Sequence, residues 1–244
     1  MIKTLAYYPI HYGAEYLDAS IKSINDHVDK IVILYTPKPS YGHGTQLVCP
    51  ETESEIREIA QAASTKVHWI NTDGLGNEGQ HRGLAWNFAP GYDVMLAVDA
   101  DEVWEPSSLE KCIKETYEGT SWRRNINGFV NFWKSFDWAC YDGFQPARLF
   151  NIHRNNREEQ TLDGTIYHFG YAQSKKIMDY KFEIHGHKDE LKPNWLNNTY
   201  YAWQPGNKDL HPTCTVWGEA AAFDKQTLPE VLKNHPNFNK QIIS

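Results

Sequence analysis

Asp93-Val94-Met95-Leu96-Ala97-Val98-Asp99-Ala100-Asp101-Glu102-Val103-Trp104 is the stretch whose reading decides the fold. Val94 to Val98 is a continuous apolar run of strand length, bounded upstream by Pro90-Gly91 and downstream by three acids in four residues. A short run that is apolar throughout reads as a strand buried on both faces, as in the middle of a parallel sheet. Its acids then stand at the C-terminal end of the strand, where open α/β sheets bind their ligands. Asp99 and Asp101 can be aimed at one point if the chain turns there, and carboxylates so spaced suit a hard divalent cation with a diphosphate on its other side.

Working outward, the segments before this strand alternate in period. Ile2 to Tyr8 reads as a strand closed by Pro9, and Ala14 to Val28 as a helix with an apolar stripe at Leu17, Ile21, Ile24 and Val28. Lys30 to Tyr35 is a second buried strand, followed by a Pro/Gly loop from Thr36 to Gly44. Glu51 to Ala63 reads as a helix with acids in its first turn, Lys66 to Ile70 as a strand, Gly74 to Gly79 as a glycine-rich loop, and Gln80 to Phe88 as a short helix. The order β-α-β-α-β-α-β predicts a three-layer α/β domain with helices on both faces of the sheet. After a helix at Ser107 to Tyr117 the grammar changes. Gly128 to Trp133, Ala147 to Ile152 and Ile166 to Phe169 read as strands without intervening helices, and Gln173 to Ile184 as a helix. From Leu191 the chain is rich in Pro, Asn and Trp, which predicts loops with a short helix near Leu228 to Asn234.

With 244 residues, 41% of them apolar, the chain can bury a real core. The net charge of −7 argues against passive affinity for nucleic acid. Cys49, Cys112, Cys140 and Cys214 include no CxxC pair, which predicts free thiols in a reducing compartment. No signal peptide precedes the first strand and no apolar run reaches transmembrane length, so a cytoplasmic location is expected.

Two sets of residues carry a family resemblance. Glu15-Tyr16-Leu17, Ser23-Ile24 and Val28-Asp29-Lys30-Ile31-Val32 form the first, and Gly79, Arg82, Asn87, Ala89, Asp93, Leu96, Asp99, Ala100 and Asp101 the second. Over about residues 1 to 110 the chain resembles the nucleotide-sugar glycosyltransferases of the GT-A fold, particularly glycosyltransferase family 2. The resemblance implies a Rossmann-like GT-A domain with a mixed central sheet over 1–190, with a nucleotide-sugar half to about 105 and an acceptor half to about 190. Residues 191–244 would form an extension packed on the same domain. It implies a metal-dependent transfer of a sugar, by default from a UDP-sugar, to an acceptor hydroxyl with inversion. One departure stands out: where the family has acids after the second strand, this chain has Tyr35-Thr36-Pro37-Lys38-Pro39-Ser40.

Such a transfer needs a cation on the leaving diphosphate, a base for the acceptor hydroxyl and a donor held in line. Asp101 is the first candidate metal ligand, with Asp99 on the ribose or on the metal through water. His168, which ends a predicted strand before Gly170, is the candidate that completes the metal shell, and its imidazole suits Mn2+ better than Mg2+. The pair His185 and His187 is a second choice. Tyr8, Tyr35, Arg82 and Arg148 are candidates for the nucleotide-sugar, with Thr36 at the base edge and His81 a weaker choice. Asp163, then Asp137 and Glu183, are the candidate bases, and a retaining course without a dedicated base stays open. Glu102 would orient the acceptor or cap the next turn. Trp133, Trp138, Tyr141, Trp195 and Trp203 would form a sugar-stacking wall or, as expected for most of them, pack the core. The acceptor would be a glycan, a lipid-linked sugar, a small molecule or a hydroxylated base in phage-type DNA, the last disfavoured by the charge. Two alternatives have other chemistry. A nucleotidyltransferase would show a glycine-rich phosphate loop after the first strand, where this chain has Tyr8-Pro9-Ile10-His11-Tyr12-Gly13. A non-catalytic carbohydrate-binding protein on a degenerate transferase fold would bind glycan and no nucleotide.

Overall fold

The computed structural model describes residues 1–39, 45–72, 77–141, 143–186, 188–214 and 217–243. Its first half is β1 (Thr4–Ile10), α1 (Ala14–Ile24), β2 (Lys30–Tyr35), α2 (Glu53–Ala63), β3 (Val67–Asn71), α3 (Glu78–Gly83) with a 3-10 turn at Leu84–Phe88, and β4 (Val94–Ala97). β1 pairs in parallel with both β2 and β4, and β2 with β3. The chain therefore winds outward to β3 and returns to the other side of β1, which makes the gap beyond the C-terminal ends of β1 and β4 a topological switch point.

The second half is β5 (Glu102–Trp104), α4 (Pro106–Glu118), β6 (Arg123–Trp133), β7 (Trp138–Cys140), β8 (Ala147–Asn151), β9 (Glu159–Tyr171), α5 (Lys175–Glu183), β10 (Ala221–Ala222) and α6 (Glu230–Lys233). β8 lies antiparallel between β4 and β6, while β9 runs parallel to β6 and antiparallel to β5. The result is a mixed sheet ordered β10-β7-β6-β8-β4-β1-β2-β3. On one face Leu17, Ile21, Ile56, Ala60, Leu109 and Ile113 of α1, α2 and α4 pack on Ala6, Ile33 and Leu96. On the other, Ala85 and Phe88 pack on Leu5, Val32 and Met95. This is the three-layer, Rossmann-like α/β fold with a mixed sheet expected from the sequence. β6 and β9 are longer than their apolar runs, and β5 and β7 are strands that the sequence pattern does not announce.

The segment after Leu191 covers the second half. Leu228, Leu232, Phe238 and Ile243 pack on Val103, Phe132 and Phe169. Trp195, Trp203 and Trp217 pack around Trp133 and Tyr171. Trp133, Trp195 and Trp203 are thus core, and the sugar-stacking role does not apply to them. Among the described residues no helix is long and apolar enough to cross a membrane.

Candidate functional site

The Asp99-Ala100-Asp101 turn follows β4 and is held by two local bonds. Glu102 N–H donates to Asp99 O at 3.0 Å and Asp99 N–H to Glu102 Oε2 at 3.3 Å. The turn rests on Gly13, whose φ of +141° lies outside what L side chains adopt and whose missing Cβ leaves room for Ala100. The β5–β9 register then sets Glu102 opposite His168, and Phe169 N–H donates to Asp101 O at 2.8 Å. The β6–β9 register sets Asn131 beside His168. A carboxylate after β4 and an imidazole on β9 are joined by strand pairing across more than sixty residues of chain.

His168 Nδ1 lies 2.7 Å from Asn131 Oδ1, an acceptor, so the proton sits on Nδ1 and the lone pair on Nε2. Nε2 stands 3.7 Å from Asp101 Oδ1, and burial holds the imidazole below its ordinary pKa, so it is neutral at pH 7. Gly170 keeps this edge clear, since a Cβ there would come within 2.5 Å of His168 Nε2 and 3.1 Å of Lys181 Nζ. An oxygen and an unprotonated nitrogen at this separation fit two ligands of one divalent cation. Among the described residues no third His, Cys, Asp or Glu joins them. The other Asp101 oxygen accepts from Gln173 Nε2 at 2.9 Å and lies 3.8 Å from Lys181 Nζ, which also donates to Gly170 O at 2.9 Å.

Asp99 is occupied differently. Arg82 Nη2 reaches its Oδ1 at 2.7 Å and Arg148 Nη2 its Oδ2 at 2.8 Å, so both oxygens are taken by guanidinium groups and not left for a metal. Burial alone would raise this carboxyl, but Arg82 and Arg148 outweigh it and hold it well below the usual carboxylate range. Arg82 Nε also bonds Glu78 Oε1 at 2.7 Å. Arg148, which enters from β8, grips Glu102 through Nε at 2.8 Å and through Nη2. Glu102 is 0% exposed, and its burial pushes it up to about 7 against the pull of Arg148. It acts as the buried anchor of Arg148.

A cleft of about 680 Å³ opens over this turn. Asp101, His168 and Lys181 line it, together with His11, Tyr12 and Thr36. His11 Nδ1 donates to Thr36 O at 2.8 Å, and its Nε2 accepts from the Tyr180 hydroxyl at 2.7 Å. The two tyrosines chosen from sequence are not here. Tyr8 is buried with its hydroxyl 3.1 Å from Ser20 Oγ, and Tyr35 is buried against Trp69 with ring centroids 5.3 Å apart. Both face the α1/α2 side of the sheet. Tyr7, one residue earlier, points to the other face and hydrogen-bonds Arg82.

The three predicted bases also lie elsewhere. Asp163 is 82% exposed and faces Lys111 at 3.6 Å; Asp137 pairs with Lys225 at 2.9 Å; Glu183 pairs with Lys188 at 3.5 Å. None lines the cleft. His81 has a structural role, its Nε2 donating to Leu34 O at 2.6 Å. His185 lines the cleft, whereas His187, the loop residues Ser40 to Gly44 and Gly74 to Gly76 lie outside the described residues. Sequence reasoning missed Asn131, Gln173 and Lys181; only Gly170 after His168 hinted that this edge must stay open. A second cleft of about 720 Å³ adjoins the first and shares Glu78, Arg82, Asp99, His168 and His185 with it.

No family model and no curated protein sequence matches the chain. Among solved structures it is similar to glucosyl-3-phosphoglycerate synthase from Mycobacterium tuberculosis, in complex with Mn2+, UDP-glucose and phosphoglyceric acid. Identity is 14% over 52% of this chain and 44% of that one, with a TM-score of 0.37. A mycobacterial protein is 13% identical over 53% of this chain and 41% of its own, with a TM-score of 0.39. A putative glucose-1-phosphate thymidylyltransferase from Bacillus anthracis, in complex with sucrose, is 9% identical over 68% and 89%, also at 0.39. The chain thus spans less than half the length of the first two.

Proposed function

We propose that this protein is a metal-dependent glycosyltransferase that moves a sugar from a nucleoside-diphosphate donor, by default UDP, to an acceptor hydroxyl. The observation that carries this reading is the Asp101–His168 pair, 3.7 Å apart beside Lys181 and Arg82 at the switch point of the sheet. Asp101 and His168 would hold Mn2+ or Mg2+, which supplies Lewis-acid stabilisation of the leaving diphosphate. Lys181 and Arg82 add positive charge where that diphosphate departs. His11, Tyr12 and Thr36 receive the nucleoside, and Asp99 positions Arg82 and Arg148 between them. In the reaction the acceptor oxygen bonds the anomeric carbon, the bond from that carbon to the diphosphate oxygen breaks, and the hydroxyl proton passes to a base. Glu78 and His185, which line both clefts, are candidates for that proton, and the inverting course implied by the family resemblance requires a base.

The nucleotidyltransferase alternative is disfavoured by Glu51. Its carboxylate accepts from Gly13 N–H at 2.6 Å and Ala14 N–H at 2.9 Å, so the amides after β1 that such an enzyme would offer to phosphate are already taken. The test is the melting temperature with UDP and Mn2+ together, then donor hydrolysis. A rise that is lost in Asp101→Ala and His168→Ala is expected. No shift with UDP, GDP or another nucleotide in Mn2+ or Mg2+ would overturn the reading, and a shift with free glycan alone would favour a non-catalytic sugar-binding protein.

A further inference from the structure

We propose that the second cleft is the acceptor subsite and that it takes a neutral saccharide of more than one ring. This rests on the glycosyltransferase reading for its role, though not for its ligand chemistry. Position is the first support. The cleft shares Arg82, Asp99 and His168 with the first one and none of His11, Tyr12 or Thr36. A hydroxyl held there meets the diphosphate side of a donor whose base sits among residues that the second cleft does not share.

The second support is an aromatic strip that runs from the metal pair to the rim. Phe129 stacks on His168 with centroids 4.9 Å apart, and Phe144 meets Phe129 edge-on at 5.6 Å. Phe144 is 56% exposed and Tyr141 57%, the two most exposed aromatic rings among the described residues. Gly143, just before Phe144, is left-handed at φ +70° with open space around it. Exposed rings at a cleft mouth leave apolar surface in water, and the C–H face of a sugar ring covers such surface while its hydroxyls stay solvated. Phe144 lines the cleft and Tyr141 stands three residues before it, outside the lining, so a ligand that covers both rings continues past the cleft.

Charge is the third support. Arg82 and Arg148 are the guanidinium groups that line the cleft, and both are already bound to carboxylates. A phosphorylated acceptor or a nucleic acid would have to compete with those carboxylates, whereas phosphodiester binding needs a basic footprint. A neutral saccharide meets no such competition.

The experiment uses the full chain with a panel of neutral di- and trisaccharides built from glucose, galactose, mannose and N-acetylglucosamine. Saturation-transfer NMR reads binding, and transfer is assayed with UDP-sugars and Mn2+. Parallel arms use phosphoglycerate and hydroxymethylcytosine DNA. We expect a neutral saccharide to bind, and Phe144→Ala and Tyr141→Ala each to weaken it about fivefold or more through lost stacking. Tyr117→Ala, an exposed ring on α4 away from the cleft, should leave it unchanged. Binding of no saccharide in the panel, transfer only to phosphoglycerate or DNA, or binding insensitive to both rim variants would overturn the proposal. Saccharide binding without any nucleotide-dependent shift would overturn the transferase reading while keeping the saccharide site.

Discussion

Arg148→Met is the sharpest test of how the site is held together. Arg148 bonds Glu102, which is 0% exposed, through two nitrogens, and it shares Asp99 with Arg82. Removing it strands the Glu102 carboxylate in a dry interior, while Asp99 keeps one guanidinium. Breaking a buried pair by deleting one partner costs about 3–5 kcal/mol, which for a chain of this size is a fall of roughly 6–20 °C in melting temperature. The cost should depend on pH in a defined way. Burial has already raised Glu102 to about 7, so in the native protein its contribution is full below the unfolded carboxylate value and is lost as pH rises through 7. In the variant the lowering influence of Arg148 is gone, and loss continues above 7. The gap between the two proteins should therefore be flat below pH 7 and widen by about 1.4 kcal/mol per unit above it. Urea unfolding at pH 6, 7, 8 and 9 measures this, and Glu102→Gln on top of Arg148→Met should remove the widening. A cost under about 1 kcal/mol that does not change from pH 6 to 9 would show that water reaches Glu102 and would refute the anchoring argument.

Further outcomes follow from the same geometry. Gly170→Ala places a Cβ 2.5 Å from the His168 ring, so the Mn2+-dependent nucleotide shift should be lost while overpacking costs about 1–3 kcal/mol in thermal unfolding. Tyr7→Phe should weaken that shift by releasing Arg82, whereas Tyr8→Phe should cost about 1 kcal/mol for its bond to Ser20 and leave the shift alone. Thr52→Ala removes the capping box of α2 and should cost about 0.5–2 kcal/mol in chemical unfolding with no effect on nucleotide binding, a control for stability loss alone.

The parts legible in the sequence were those in which burial writes itself into the chain. Val94 to Val98 and Ile31 to Leu34 are apolar throughout because both faces are covered, and that is why their strand character and the α/β order can be read. The same feature hid the parity of β1. A strand buried on both sides has no alternation, so nothing in Tyr7-Tyr8 says which ring faces Arg82 and which faces Ser20. β5 was hidden by its acids: a three-residue strand that begins with Glu102 looks like a turn until β9 pairs with it.

That pairing also explains why one choice from the second half reaches the cleft and another cannot. His168 and Asp163 lie on the same strand five residues apart, about 16 Å of strand with a register irregularity at 162–165, so their side chains leave the strand at distant points. Choosing both for one site was inconsistent with β9 as a single strand, and the apolar run Ile166 to Phe169 was too short to reveal that Asp163 belonged to it. Register decides the rest. With Glu102 opposite His168 and Asn131 beside it, the imidazole is aimed at Asp101 and its tautomer is set by an amide from a third strand. Neither relation exists within any local window. A carboxylate pair after a buried strand can be recognised from sequence alone, but the imidazole that the proposed metal site needs beside it is supplied by strand pairing, and only a structure gives that register.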